Sequence, residues 1–204
     1  MSFRLLAAAL AVCLIPLTSL SQDKKPDEKK PADPKVVEEE NPFKNVKVDD
    51  YVKYRVKASV GPVTIDGIAT QTVTSKTDKE AIVKVTSNVG GMETPAQEIK
   101  QDLTKPYDPT KAGVGALPAG TDATVEKLKE GKEKIKIGDK EYDTTWTTYK
   151  VKAKSGGMEI EADVKVWTAK DVIMGMVKMD ASLEISKMKM ELKLELAESG
   201  NKKP

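Results

Sequence analysis

Five of the eight methionines of this 204-residue chain crowd into residues 174 to 190. Met174, Met176 and Met179 form an M-x-M-x-x-M group, and Met188 and Met190 follow as M-x-M within SKMKMELKLEL, residues 186 to 196. Thioether sulfurs are soft donors suited to Cu(I), so a copper site is one chemistry that this spacing could support. The spacing also fits a wall. Successive side chains of a strand point to opposite faces, which puts Met179, Met188 and Met190 on the face shared by Leu183, Leu192 and Leu194, where a flexible thioether is an ordinary core filler. Core packing is the preferred reading for these three; Met174 and Met176 flank Gly175, where a bulge is expected.

Acid and base chemistry would have to rest on carboxylates such as Asp102, Asp108, Asp143, Asp163 and Asp171. With 32 acidic residues in the chain, their spacing carries no information. There is no histidine, and Cys13, the single cysteine, falls in an N-terminal segment expected to be cleaved off, which removes the common general base, the common nucleophile and the two commonest zinc ligands. No phosphate-cradling glycine loop, nucleophile elbow or calcium loop is present. A non-enzymatic protein without cofactor or metal is expected. The two tryptophans, Trp146 and Trp167, could hold a sugar or a lipid rim if they stack on an open sheet face, or form a small second core if covered.

The elements that must position these residues are almost all strands. Val, Ile, Thr and Tyr alternate between the breaks VGP, KTDKE, VGG, IGDK and SGG. With Gly156 and Gly157 at a hairpin tip, Lys154, Lys152 and Lys150 face Glu159, Glu161 and Asp163. Ala153, Val151, Tyr149 and Thr147 then face Ile160, Ala162, Val164 and Val166, and Trp146 faces Trp167 on the charged side. With Ser186 and Lys187 at a turn, Ile185, Leu183, Ala181, Met179 and Val177 face Met188, Met190, Leu192, Leu194 and Leu196, while Glu184, Asp180 and Lys178 face Lys189, Lys193 and Glu195. A third turn at Gly138 and Asp139 sets Lys136 against Glu141 and Lys134 against Asp143. One face zipped by opposite charges and the other apolar specifies register. The spacing predicts one short helix, over 121–131, with Asp122 as N-cap and Gly131 as stop. The Pro/Gly-rich stretch 104–120 is a candidate binding edge or lid.

The first residues place a lone positive charge, Arg4, before an apolar run from Leu5 to Leu17 and then small polar residues. That run is too short for a bilayer and has the layout of a signal peptide, residues 1–21, cleaved after Ser21. Lipid anchoring at Cys13 is the disfavoured alternative, because Val12 is bulky and an apolar LIPL follows. Removal of this segment leaves 33 basic against 32 acidic residues, a balance that offers nucleic acid nothing. Residues 22–42, rich in Lys, Glu, Asp and Pro, read as a disordered tether able to meet a cell-envelope partner. Residues 43–199 form a single antiparallel β domain, and 200–204 a frayed tail. The expected localisation is periplasmic or extracellular.

The stretches GKEKIKIGDKEYDTTWTTYK and VKVWTAKDVIMGMVKMD resemble small uncharacterised secreted bacterial β proteins, in which a tryptophan-bearing hairpin leads to a W-x-x-x-D-V-P-x-G-x-V-K crossover. Here those positions are Trp167, Asp171, Val172, Gly175, Val177 and Lys178, with Ile173 in place of proline. The layout is also similar to the half-barrel of periplasmic lipoprotein carriers. That similarity implies a curled sheet of about eight to nine strands and a cavity for a lipid or other apolar ligand, lined by Val151, Ile160, Val164, Leu183, Met190, Leu192 and Leu194 with Trp146 and Trp167 nearby. The carriers close their sheet with several helices, and this chain offers at most one. The sequence thus reads as an exported, non-enzymatic binding protein. The alternative is a structural or interaction module whose core is filled by its own side chains, and a Cu(I)-binding role or a carboxylate enzyme is more distant.

Overall fold

A computed structural model describes residues 41–107, 122–155, 158–185 and 188–202. The expected signal peptide, Cys13, nearly all of the tether, the stretch 108–120 with Asp108, and the tips at 156–157 and 186–187 lie outside the described residues. After a 3-10 turn at Pro42–Asn45 come nine strands: β1 (Asp50–Val60), β2 (Val63–Lys76), β3 (Glu80–Val89), β4 (Met92–Asp102), β5 (Asp122–Ile137), β6 (Lys140–Ser155), β7 (Met158–Thr168), β8 (Met176–Ile185) and β9 (Met188–Asn201). All belong to one antiparallel sheet, ordered β4-β3-β2-β1-β9-β8-β7-β6-β5. Two meanders, β1–β4 and β5–β9, are thus joined down the middle by the pairing of the first strand with the last. The sheet stays open, and its two edges, β4 and β5, are consecutive in sequence.

The registers read from charge complementarity are the observed ones. Lys152 pairs with Glu161, Val151 with Ala162 and Trp146 with Trp167 across β6 and β7. Leu183 pairs with Met190, Met179 with Leu194 and Lys178 with Glu195 across β8 and β9, and Lys136 pairs with Glu141 across β5 and β6. Gly138 takes φ 59° at its turn, as do Gly90 (61°) and Gly91 (78°) between β3 and β4, conformations that cost other residues more.

The helix expected over 121–131 is not what forms among the described residues: 122–131 open β5. Every position of the 16-residue β6 strand from Lys140 to Lys154 finds a partner on β5, with one register shift between Lys127 and Lys129. Leu128 is the extra residue of that bulge and is exposed. The bulge moves the apolar phase by one, so Val125 and Leu128 fall three apart, a helical spacing, on a segment whose hydrogen bonds are those of a ladder. Tertiary pairing overrides the local propensity of KLKE. Of the expected tail, 200–202 are described: β9 runs to Asn201, whose Nδ2 donates to Asp50 Oδ1 (2.7 Å) and to Val48 O (3.2 Å), and the Lys202 amide donates to Asp49 O (3.0 Å).

Open edges invite pairing with other chains. On β4 a register shift falls opposite Val85–Ser87, where Pro95 removes a donor. On β5 the bulge and the lysines 127, 129, 132, 134 and 136 blunt the edge.

The core follows the inward face of every strand. Val52 and Tyr54 of β1, Val73 of β2, Val83 of β3, Val166 of β7 and Leu194 of β9 share one buried cluster with Phe43 of the 3-10 turn. Asn41 pins that turn. Its Oδ1 accepts from the Phe43 amide (3.0 Å), and its Nδ2 donates to Asp102 O and Lys105 O at the end of β4 (3.3 and 3.1 Å). A smaller cluster of Val151, Ala162, Ala181, Leu183 and Met190 lies toward the hairpin tips. Tyr54 donates its hydroxyl to Met176 O (3.2 Å), and burial pushes its pKa well above the ordinary tyrosine value, which keeps the phenol neutral.

Candidate functional site

At the end of the sheet opposite those tips, the chain between β7 and β8 does not turn tightly. Residues 169–175 fold into a compact crossover closed by Ala169 N to Gly175 O (2.8 Å) and Gly175 N to Val172 O (2.9 Å). Met174 adopts φ 61° and Gly175 φ 78°. A Cβ on Gly175 would lie 2.9 Å from two Pro42 ring atoms, so the crossover and the N-terminal turn touch where only glycine fits. Left-handed methionine is strained, and it is held here by complete burial of its side chain. A register shift at Val177 between β7 and β8 marks the bulge expected near Gly175.

Between this crossover, the N-terminal turn, Tyr107 and the β5–β6 hairpin opens a cleft of about 1030 Å³. Pro42, Val46, Val172, Ile173 and Met174 give it apolar surface. Asp50, Lys132, Glu133, Lys134, Asp143, Lys170 and Asp171 give it charge, and Thr144, Thr145 and Thr168 add hydroxyls. Phe43 supports the Tyr107 ring from behind, with centroids 5.9 Å apart. Two hydroxyls are already spent on the sheet: Thr144 Oγ1 donates to Glu133 O (2.7 Å) and Thr168 Oγ1 to Thr145 O (3.3 Å).

One cleft residue, Glu133, reaches the tryptophans. Its carboxylate accepts from Trp167 Nε1 and pairs with Lys165 at 3.2 Å, and these two contacts, the indole first, hold its pKa below the usual glutamate value. The Lys165 ammonium lies 4.5 Å from the Trp146 ring centre and 4.3 Å from that of Trp167, and Lys178 lies 4.8 Å from the latter. Trp146 rests on Gly131, where a Cβ would come within 2.9 Å of three indole atoms. The aromatic pair is therefore wrapped by its own cations and a carboxylate, with Trp167 only 6% exposed. The cover comes from Lys165, Lys178 and Glu133.

The nine residues singled out as ligand contacts do not line the cleft. Val151, Leu183 and Met190 belong to the smaller core cluster, with Val164 and Leu192 packed against it; Leu194 is fully buried in the larger one and Ile160 is buried as well. Alternation brought these seven to one face, where Val151, Ile160, Leu183, Met190 and Leu194 are buried and Val164 and Leu192 half-buried. Of the methionines, Met174, Met176, Met179 and Met190 are buried, while Met188 at the tip end is exposed. Of the carboxylates, Asp143 and Asp171 reach the cleft and Asp102 and Asp163 do not. Among the described residues no group of three or more histidine, cysteine or acidic side chains could hold a metal ion. The cleft itself was missed because its walls come from four separated segments. The W-x-x-x-D-V-x-x-G pattern was the one signal that pointed to the crossover.

No protein-family model matches the sequence, and no curated protein matches it significantly. Among solved structures the chain is similar to a protein from Bacteroides fragilis described as exported and as having a YmcC-like fold, with 7% identity, a TM-score of 0.46, and coverage of 76% of this chain and 97% of that one. No described helix is long and apolar enough to cross a membrane.

Proposed function

We propose that this chain is an exported, non-enzymatic binding protein that takes an amphipathic ligand, or an amphipathic segment of a cell-envelope partner, in the cleft beside the 169–175 crossover. The observation that carries the reading is the cleft itself, about 1030 Å³ with both apolar and polar lining, a size near that of ligand sites. Binding is favoured over catalysis because its carboxylates are engaged: Glu133 with Trp167 and Lys165, Asp143 with Lys134 at 3.5 Å, Asp171 with Lys140 at 4.0 Å, and Asp50 with the Lys47 amide at 2.7 Å. A general acid or base needs a proton site free to reach substrate. Export rests on the Arg4 and Leu5–Leu17 pattern.

Native mass spectrometry of protein exported by a bacterial host and purified without detergent tests this. A small-molecule adduct that leaves under activation, and is lost in Ile173→Trp, is expected. A bare chain that also fails to take up added amphiphiles would refute the reading. A second reading, a structural module with a self-filled core, is favoured by the burial of Val151, Ile160, Leu183, Met190 and Leu194 against one another, and would then stand.

A further inference from the structure

The charges lining the cleft are not equally committed. Asp50 is buried and accepts from the Lys47 amide and from Asn201 Nδ2, both at 2.7 Å. Glu133, Asp143 and Asp171 each have a lysine partner, and Lys134 is shared between Glu141 (3.1 Å) and Asp143 (3.5 Å), which raises its pKa above the ordinary lysine value. Lys132 and Lys170 are exposed, and among the described residues neither side chain makes a hydrogen bond, ion pair or cation–π contact. Both uncommitted charges of the cleft are therefore positive. They flank it: Lys132 pairs with Thr145, Thr145 pairs with Thr168, and Lys170 follows two residues later on the crossover. Two strand spacings, about 10 Å, separate the Lys132 and Thr168 backbones, and lysine side chains are long enough to converge on one group between them.

We infer that the cleft selects an anionic amphiphile, its apolar chain along Pro42, Val46, Val172 and Ile173 and its carboxylate or phosphate head between Lys132 and Lys170. This rests on the cleft being the binding site. A cationic head would find every acid already paired and two lysines repelling it, and a neutral head would leave both lysines unused. A bare inorganic anion would gain nothing from the apolar wall.

Isothermal titration of the detergent-free protein with dodecanoate, dodecyl phosphate, dodecyl maltoside and dodecyltrimethylammonium, each below its micelle threshold, separates the possibilities. The two anions should bind at one saturable site at least about tenfold tighter than the other probes, as two part-exposed ion contacts allow. Added salt should erode that preference. The ratio of dodecanoate to dodecyl phosphate affinity distinguishes a carboxylate head from a phosphate one. The double substitution K132Q/K170Q, at two exposed sites, should abolish the preference while leaving the melting temperature unchanged, and Ile173→Trp should weaken all four probes. Equal affinities for all heads, or a preference that survives K132Q/K170Q, would overturn the anionic assignment and leave the binding cleft standing. Binding of none of the probes, or binding indifferent to Ile173→Trp, would overturn both.

Discussion

Gly131→Ala adds a single methyl group on an edge strand, yet it should be among the more damaging conservative changes in this domain. The new Cβ would stand 2.7 Å from Cζ2, 2.8 Å from Cε2 and 2.9 Å from Nε1 of Trp146. These distances require the indole to move. Its backbone φ lies outside the left-handed region, so alanine brings no conformational penalty of its own, and the narrower unfolded ensemble returns about 0.4–1 kcal/mol. Against that, overpacking costs about 1–3 kcal/mol. Displacing Trp146 also removes one face from Lys165, 4.5 Å from its ring centre, which costs about 0.5–1 kcal/mol more at a part-exposed site. The net loss is about 2 kcal/mol, or roughly 4–8 °C in melting temperature for a domain of this size. Thermal unfolding followed by circular dichroism gives the shift, and tryptophan emission reports the displaced indole. Gly61→Ala is the contrasting control, since its φ of 58° is strained for alanine but a Cβ there meets nothing within 4 Å; it should cost about 1–2 kcal/mol and leave the emission unchanged. In a Trp146→Leu background the Gly131→Ala penalty should shrink, because a smaller, flexible side chain can yield. An unaltered melting temperature and emission, or an undiminished penalty without the indole, would refute the reasoning.

Other consequences are as direct. Lys152 and Glu161 approach to 3.3 Å with both side chains more than half exposed, so reversing either charge should cost about 0.2–1 kcal/mol and reversing both should restore it; a double-mutant cycle with additive losses would contradict the pairing. Leu194→Ala, at a fully buried position opposite Met179, should cost about 2–5 kcal/mol in urea unfolding, and a loss under 1 kcal/mol would deny it a place in the core. Asp102 accepts from Thr104 Oγ1 (2.6 Å) and the Thr104 amide (3.0 Å) and pairs with Lys105 (2.9 Å), which lowers its pKa from 3.8 to about 2. Because the folded pKa is the lower one, its stabilising contribution is complete above the ordinary aspartate value and is lost as pH falls from about 3.8 toward 2. Asp102→Asn should therefore flatten stability against pH in that interval, measured by urea midpoints from pH 2 to 5, and an unaltered slope would rule the contribution out.

The strands and their partners were legible because a period-two pattern does two jobs at once. In KVKAK and EIEADVK the same alternation that hides Val151 and Ile160 sets Lys152 against Glu161, and a slip by one residue would spoil both faces. Where one extra residue breaks the period, as at Leu128, the pattern imitates a helix, and nothing local separates the two; β6 decides it by offering a partner to every residue on either side of the bulge. The core was legible for the same reason as the strands. An apolar face in alternation says that side chains turn inward; it does not say whether anything else fits beside them.

What the sequence by itself determined is the antiparallel ladder. With lysines and acids interleaved at fixed spacing between apolar residues, it is committed to hydrogen-bonded strands in one register. Tertiary structure alone decided where space remains. The cleft exists because Asn41 ties the N-terminal turn to the end of β4, Gly175 lets the crossover close on Pro42, and the β5–β6 hairpin supplies the remaining wall. It alone also decided which charges share that space: Lys132, opposite Thr145 on β6, and Lys170, on a crossover more than 30 residues away, line the same cleft.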